Sequence, residues 1–447
     1  MTASSVRSAR VKAAFIVSSG NFLEMFDFMV YGYYAVAIAK AYFPAASEFA
    51  SLMASLATFG AGFLMRPLGA LILGAFIDRH GRRAGLLLTL GLMAVGTLSI
   101  AVMPGYARIG VAAPLLILVG RLVQGLSAGV EVGGVSVYLA EIAPEGRRGF
   151  YVSWQSASQQ AAVVFAAVLG LVAASALSRA QMEAWGWRLP FVIGCALIPF
   201  LFLIRRRLVE TPAFLARQHT PGFGEIFVLL GRNARVILLG AAMAIMTTVA
   251  FYMITAYTPV FGSSVLHLSA RSSFLVTLCV GLSNLVLLPT MGALSDRLGR
   301  RALLVAAAVA AILTSYPAMR WLVAAPSFER LLVVELWLSL VYSTYNGAMV
   351  VHLTEVIPAA VRTSGFSFAY SLATAIFGGF TPAICTYLIH ATGDKAMPGA
   401  WLAAAALCGL AAVAFLKSPA SLPAVGVPGP GPSLTSPTSD AVEAANP

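Results

Sequence analysis

Glu24 and Asp27 stand three residues apart in "GNFLEMFDF" (Gly20–Phe28), within a mainly apolar run from Ala13 to Ala39. Arg66, Arg121 and Glu131 sit in later apolar runs of the same kind. Burial and mutual repulsion both penalise a charged carboxylate, so an acid in such a place can bind a proton near neutral pH and release it when water returns. That makes Glu24, Asp27 and Glu131 the candidates for proton exchange. A guanidinium keeps its charge, and its planar fork matches a carboxylate bidentately. Arg66 and Arg121 are therefore candidates to bind an anion with more than one carboxylate, or else to brace the acids permanently.

The polar side chains Asn21, Gln155, Gln159, Tyr252, Tyr257, Asn284, Tyr345 and Asn346 lie in similar apolar surroundings. Each can hydrogen-bond a carboxylate or hydroxyl oxygen, or a neighbouring helix. At about 100° per residue, Asn21, Glu24, Asp27 and Tyr31 share an arc of roughly 120°. Arg121, Gln124 and Glu131 share roughly 80°, and Gln155, Ser158 and Gln159 roughly 100°. Tyr342, Tyr345 and Asn346 share a similar arc. Glu335 is expected near one membrane interface, and His352 as a satisfied structural histidine.

The elements that must hold these residues are set by composition. The chain has 447 residues, 59% of them hydrophobic and 10% charged. A soluble domain carries about 25% charged residues, so the surrounding solvent here is lipid. The net charge of +12 resides in short loops rather than on one face of a soluble domain, which argues against nucleic acid as a partner. Cys195, Cys279, Cys385 and Cys408 occur singly, with no ligand or disulfide spacing, so neither a metal nor a cofactor is expected. Arg7, Arg10 and Lys12 precede an apolar run too long for a signal peptide, so it reads as a retained first helix.

A membrane-crossing helix needs about 20 apolar residues. Twelve such segments can be placed, at 14–42, 50–77, 84–103, 110–139, 150–177, 188–205, 235–261, 272–294, 302–324, 331–354, 364–390 and 399–417. They lack the period-two alternation of barrel strands. Of the 29 Lys and Arg, most fall in alternate loops, including Arg79, Arg82, Arg83, Arg147, Arg148, Arg297, Arg300 and Arg301. This bias predicts both termini in the cytoplasm. The expected organisation is a cytoplasmic N-terminus (1–13), a six-helix bundle (14–205), a cytoplasmic linker (206–234), a second six-helix bundle (235–417) and a disordered Pro/Gly/Ser-rich cytoplasmic tail (418–447).

"GAFIDRHGRR" (Gly74–Arg83) recurs as "GALSDRLGRR" (Gly292–Arg301), and "EIAPEGRRG" (Glu141–Gly149) returns loosely as "EVIPAAVRTSG" (Glu355–Gly365). Both pairs occur after the same helix of each half, so the halves read as structural repeats. The first motif resembles the loop between helices 2 and 3 of the major facilitator superfamily, and "RLVQGLSAG" (Arg121–Gly129) resembles its helix-4 motif. "FLMRPLGALILG", "QGLSAGVEVGGVSVYLAEIAP", "SWQSASQQ" and the opening "GNFLEMFDF" are most similar to the metabolite–proton symporter branch, in particular its citrate and tricarballylate carriers.

The resemblance implies an all-α integral membrane protein with twelve transmembrane helices in two pseudo-symmetric six-helix bundles. Helices 1, 4, 7 and 10 would line a central cavity. Asp78, Gly81 and Arg82, with their repeats Asp296, Gly299 and Arg300 and the nearby Glu141 and Glu355, would form an inner latch. The implied activity is proton-coupled import of citrate or a closely related tricarboxylate, by a monomer in a cell inner membrane. Alternatives are tricarballylate, a dicarboxylate or another small metabolite and, outside this class, a channel or receptor. No nucleotide-binding motif or nucleophile–base pair stands out, so an enzyme is not expected.

Overall fold

The computed structural model describes residues 20–80, 82–129, 131–206, 223–358 and 361–416. The expected N-terminal segment 1–13, most of the 206–234 linker and the 418–447 tail lie outside these residues. So do Gly81 and the side chains of Asp78, Arg82 and Glu131.

The described residues build twelve apolar helical rods. They are α1 (Asn21–Tyr33 and Ala35–Tyr42), α2 (Glu48–Leu73), α3 (Leu87–Val102), α4 (Ala112–Ile142), α5 (Arg148–Ala176), α6 (Gly186–Phe200), α7 (Ala234–Val265), α8 (Ala270–Leu298), α9 (Arg300–Ala324), α10 (Phe328–Val356), α11 (Arg362–Thr392) and α12 (Met397–Phe415). Eight of these are single helices long and apolar enough to cross a membrane, and α1 makes nine when its two bent pieces are joined. A short helix, Phe223–Arg232, ends the expected linker.

Serine hydroxyls start three of the rods. Ser47, Ser269 and Ser327 accept hydrogen bonds from the amides of Ala50, Ser272 and Arg330 and so satisfy free amides at the heads of α2, α8 and α10. Large apolar side chains such as Val102, Val286 and Leu313 remain exposed on the outside of the rods. In a bilayer that face meets acyl chains.

Departures from straight helix have local causes. α1 bends by 69° between Tyr33 and Ala35. α7 contains two π-helical stretches, Met253–Tyr257 and Phe261–Val265, on either side of Thr258 and Pro259. α11 has one, Thr374–Gly378, shortly before Pro382. A proline removes an amide donor and crowds the carbonyl four residues back, and a wider π turn accommodates both.

Glycines set the distance between α2 and α4. A Cβ on Gly125 would collide with the carbonyl oxygen of Gly62, one on Gly129 with that of Arg66, and one on Gly69 with that of Leu126. Side-chain-free positions allow backbones in lipid to approach this closely. The contact fixes Arg66 and Arg121, which flank these glycines, on facing helices.

Candidate functional site

Glu24 and Asp27 leave α1 toward two different helices. Glu24 Oε1 accepts from Arg66 Nη2 on α2 at 2.6 Å, and Asp27 Oδ2 lies 3.3 Å from Arg121 Nη1 on α4. All four side chains are buried, with Arg121 at 0% exposure. Phe28, next in sequence to Asp27, lies between the two cations: its ring centroid is 5.0 Å from the Arg66 guanidinium and 4.3 Å from that of Arg121. Phe63 covers Arg66 at 4.7 Å, while Tyr31 and Phe59 cover Arg121 at 4.6 and 5.5 Å. Desolvating four charges is costly, and here ion pairing together with aromatic faces, worth about 0.5–2 kcal/mol each, offsets part of it.

Gln124 completes the second pair. Its Nε2 donates to Asp27 Oδ2 at 2.6 Å and its Oε1 accepts from Arg121 Nη1 at 2.8 Å. Thr97 Oγ1 on α3 lies 3.2 Å from the same Nε2. Even so, Asp27 Oδ1, Arg66 Nε, and Arg121 Nε and Nη2 have no hydrogen-bond partner. The two guanidiniums therefore retain donors beyond those used by their own acids. The sequence placed Gln124 on the Arg121 face without a role; its position three residues after Arg121 is the signal that identifies it.

The other expected site residues divide into two groups. Tyr252 joins the charged group through its ring, packed edge-on against Phe63 at 5.1 Å and Phe59 at 6.1 Å. Asn21 is buried with neither amide atom satisfied, and Gln155 accepts from Ser156 with its Nε2 free. Gln159 is buried. Asn346 Oδ1 accepts from Thr247 at 3.1 Å and Asn284 Oδ1 from Ser343 at 2.9 Å, each leaving its Nδ2 unpartnered. Tyr345 and Tyr257 are occupied elsewhere: Tyr345 donates to the Met243 carbonyl at 3.1 Å and Tyr257 accepts from Thr386 at 3.1 Å. Glu335 departs from expectation. It is buried at 5% exposure rather than interfacial, because Thr258 of α7 covers it and donates to its Oε1 at 3.0 Å.

A second cluster joins the ends of α8, α9 and α10 to the start of α5. Asp296 accepts from the amides of Gly149 and Phe150 at 2.8 and 3.0 Å, capping α5. Arg300 pairs with Asp296 at 2.7 Å and with Glu355 at 3.1 Å. Gly299 takes φ +88° at the turn between α8 and α9, a conformation that favours glycine. Gly149 and Gly292 bring the α5 and α8 backbones into contact beside this cluster. Glu141 is exposed and stands outside the cluster.

At the opposite ends of the rods, Gly32 of α1 meets Ala256 of α7, and Tyr33 packs on Phe274 at 5.7 Å. Phe49 stacks on His390 at 3.7 Å. With contacts at both ends, the buried pairs are occluded.

A sheath of apolar helices closed at both ends around paired charges is the architecture of a polytopic membrane transporter. The model of the Sugar (and other) transporter family matches residues 13–221 and 223–421. The citrate-proton symporter of Salmonella typhi is 57% identical over 415 residues, covering 93% of this chain and 96% of that protein. The citrate-proton symporter of Klebsiella pneumoniae is 56% identical, covering 91% and 92%. A crystal structure of a D-xylose-proton symporter superposes with a TM-score of 0.72 at 18% identity, over 90% of this chain and 96% of that one. The chain belongs to the Sugar (and other) transporter family and has the all-α major facilitator fold.

Proposed function

We propose that the protein is a proton-coupled symporter that imports citrate, or a closely related tricarboxylate such as tricarballylate, by alternating access. The observation that carries the reading is the arrangement of two buried guanidiniums, each neutralised by a carboxylate of α1. A polycarboxylate competes with Glu24 and Asp27 for Arg66 and Arg121. Protonating the acids releases the arginines for the incoming anion, so proton and anion binding favour one another. The high identity to proteins named citrate-proton symporters supports citrate as the anion.

The energetics agree. A cytoplasm-negative potential opposes entry of an anion by about 2.3 kcal/mol per charge per 100 mV. Protons that match or exceed the anion's charge remove that penalty.

In this reading Asp27 and Glu24, with Glu131, carry the coupling protons. Asn21, Gln155, Gln159, Tyr252, Asn284 and Asn346 supply hydrogen bonds, while Tyr257 and Tyr345 contribute once their present partners part. The Asp296–Arg300–Glu355 cluster is the cytoplasmic latch, with Asp78, Gly81 and Arg82 its counterpart in the first half and Glu141 beside it. The segments 14–205 and 235–417 are the two bundles that rock around the site. The loop charges support both termini in the cytoplasm, and the resemblance to facilitator-type carriers supports a monomer in a cell inner membrane.

Uptake of labelled citrate into proteoliposomes, with and without an inward proton gradient and with tricarballylate as competitor, tests the reading. Gradient-stimulated uptake that tricarballylate reduces is the expected result. No citrate uptake under any gradient would overturn citrate as the anion.

A further inference from the structure

Glu335 has no role in the pairs described above, and its surroundings differ from theirs. It lies on α10 near the ends opposite the Asp296 latch, at 5% exposure. Thr258 Oγ1 reaches its Oε1 at 3.0 Å, and Oε2 has no hydrogen-bond partner. Among the described residues no Lys, Arg or His from any helix forms an ion pair with it, and its side-chain partner is Thr258. Tyr257, next in sequence to Thr258, is held by Thr386, and Tyr342, two turns along α10, is packed on Phe251. A carboxylate buried without a cation costs far more than a neutral acid. A neutral, proton-bearing Glu335 is what this burial accommodates at least cost.

Two further features distinguish it from a side chain that only fills space. The first is its cover. Thr258 lies between the two π-helical stretches of α7, and its hydroxyl is also 2.9 Å from the Ile254 carbonyl. The first stretch contains Ala256, which receives Gly32 of α1 in the closure opposite the latch. One irregular piece of α7 thus touches α1 on one side and covers Glu335 on the other. Parting α1 from α7 moves the cover.

The second feature is a polar row along α10. Glu335, Ser339, Ser343 and Asn346 follow at spacings of four, four and three and fall within an arc of roughly 80° over about 16 Å of helix. All four are buried; Ser339 Oγ is unpartnered, Ser343 donates to Asn284, and Asn346 accepts from Thr247. Hydroxyls and amides at one-turn intervals lead from the acid to the middle of the bundle.

We propose that Glu335 is a second proton-carrying site of the transport cycle, separate from the Glu24 and Asp27 pairs. It is opened by movement of the π-helical part of α7 and joined to mid-membrane by the Ser339–Ser343–Asn346 row. The proposal rests on the proton-symport reading, and its test separates the two.

The full-length protein is purified as wild type, Glu335→Gln, Glu335→Asp and Glu24→Gln. Infrared spectra of each in detergent report protonated carboxyl groups without any need for transport. The band is expected to be lost in Glu335→Gln, and retained in Glu335→Asp and Glu24→Gln. An unchanged band in Glu335→Gln would overturn the proposal whatever the protein carries.

In proteoliposomes the protons moved per citrate are then measured. Glu335→Gln is expected to keep citrate counterflow while the proton-to-citrate ratio falls, with Glu335→Asp restoring the ratio. A ratio equal to wild type in Glu335→Gln would overturn the proposal and leave symport intact. Wild-type protein that moves neither citrate nor tricarballylate would instead overturn the symport reading, and with it a transport role for Glu335.

Discussion

Gln124 Nε2 donates to Asp27 Oδ2 at 2.6 Å while the same glutamine's Oε1 accepts from Arg121 at 2.8 Å. The amide is thus a bridge that presents its donor to the acid and its acceptor to the base. The direct Arg121–Asp27 approach is longer, 3.3 Å. Much of the pairing is therefore relayed, and the acid can leave the arginine without breaking a short direct bond.

This arrangement predicts the behaviour of Asp27→Asn. The neutral amide keeps contact with Gln124 and leaves Arg121 without a carboxylate to neutralise it. Citrate counterflow should survive, while uptake driven by a proton gradient should fall at least about tenfold, a loss of about 1.4 kcal/mol in coupling. Paired counterflow and gradient-driven assays check this. Equal loss of both would assign Asp27 to packing instead.

Arg66 and Glu24 make the tighter pair, at 2.6 Å. Removing one member of a buried pair leaves an uncompensated charge, which costs about 3–5 kcal/mol. Arg66→Gln should lower the thermal midpoint sharply. The double variant Arg66→Gln with Glu24→Gln should recover most of it without restoring citrate uptake. A thermal-shift double-mutant cycle reads the coupling, and additive single effects would count against a shared site.

The buried charges of the candidate site were legible in the sequence because cost made them conspicuous: Glu24, Asp27, Arg66 and Arg121 stood out in apolar runs, and helical spacing grouped those on one helix. The twelve segments were legible for the same reason. Which acid meets which arginine was not, since that depends on how closely α2 and α4 approach. Gly62, Gly69, Gly125 and Gly129 set that approach, but their role appears only when the helices face each other. The burial of Glu335 escaped because its cover, Thr258, belongs to a π-distorted part of α7 that a 100° wheel cannot place. Tyr345 was assigned to the site by its arc, yet its hydroxyl reaches α7's backbone.

The α2–α4 contact yields its own prediction. Gly125→Ala places a methyl group against the Gly62 carbonyl. Overpacking of this kind costs about 1–3 kcal/mol, and the forced separation also moves Arg66 relative to Arg121. Reduced thermal stability together with a higher citrate KM is expected. The double variant Gly62→Ala with Gly125→Ala should be worse than either single change.

In the loop between α11 and α12, Asp394 accepts from the Ala396 amide at 2.9 Å and from the Tyr316 hydroxyl at 2.7 Å. The backbone bond first, then the tyrosine, hold its carboxyl below the ordinary value of 3.8. A depressed carboxyl stabilises the fold at pH values above the unfolded value, and the contribution is lost as pH falls through the folded one. The thermal midpoint of Asp394→Ala should therefore lie below wild type at neutral pH. The difference should shrink only below pH 3.8, which melting curves across that range will show.

Asp296 serves two partners at once, capping α5 through the Gly149 and Phe150 amides and pairing with Arg300. A lost helix cap alone costs about 0.5–2 kcal/mol, and the lost charge pair adds to it. The cap exists only while α5 and α8 are together at this end, whereas the Arg300 pair lies within the second half, so it is loss of the cap that bears on the closed state alone. Asp296→Ala should shift the protein toward the arrangement open at the latch, with an equilibrium change of about 5–150-fold. A cysteine at Ser153, which faces Gly292 across the contact, reports the opening when Cys195, Cys279, Cys385 and Cys408 are replaced. Its alkylation should speed up in Asp296→Ala, and less so in Asp296→Asn, which keeps an acceptor for the α5 amides but loses the Arg300 pair. Labelling at the wild-type rate in both would mean that the glycine contact, not the charge cluster, holds this end shut.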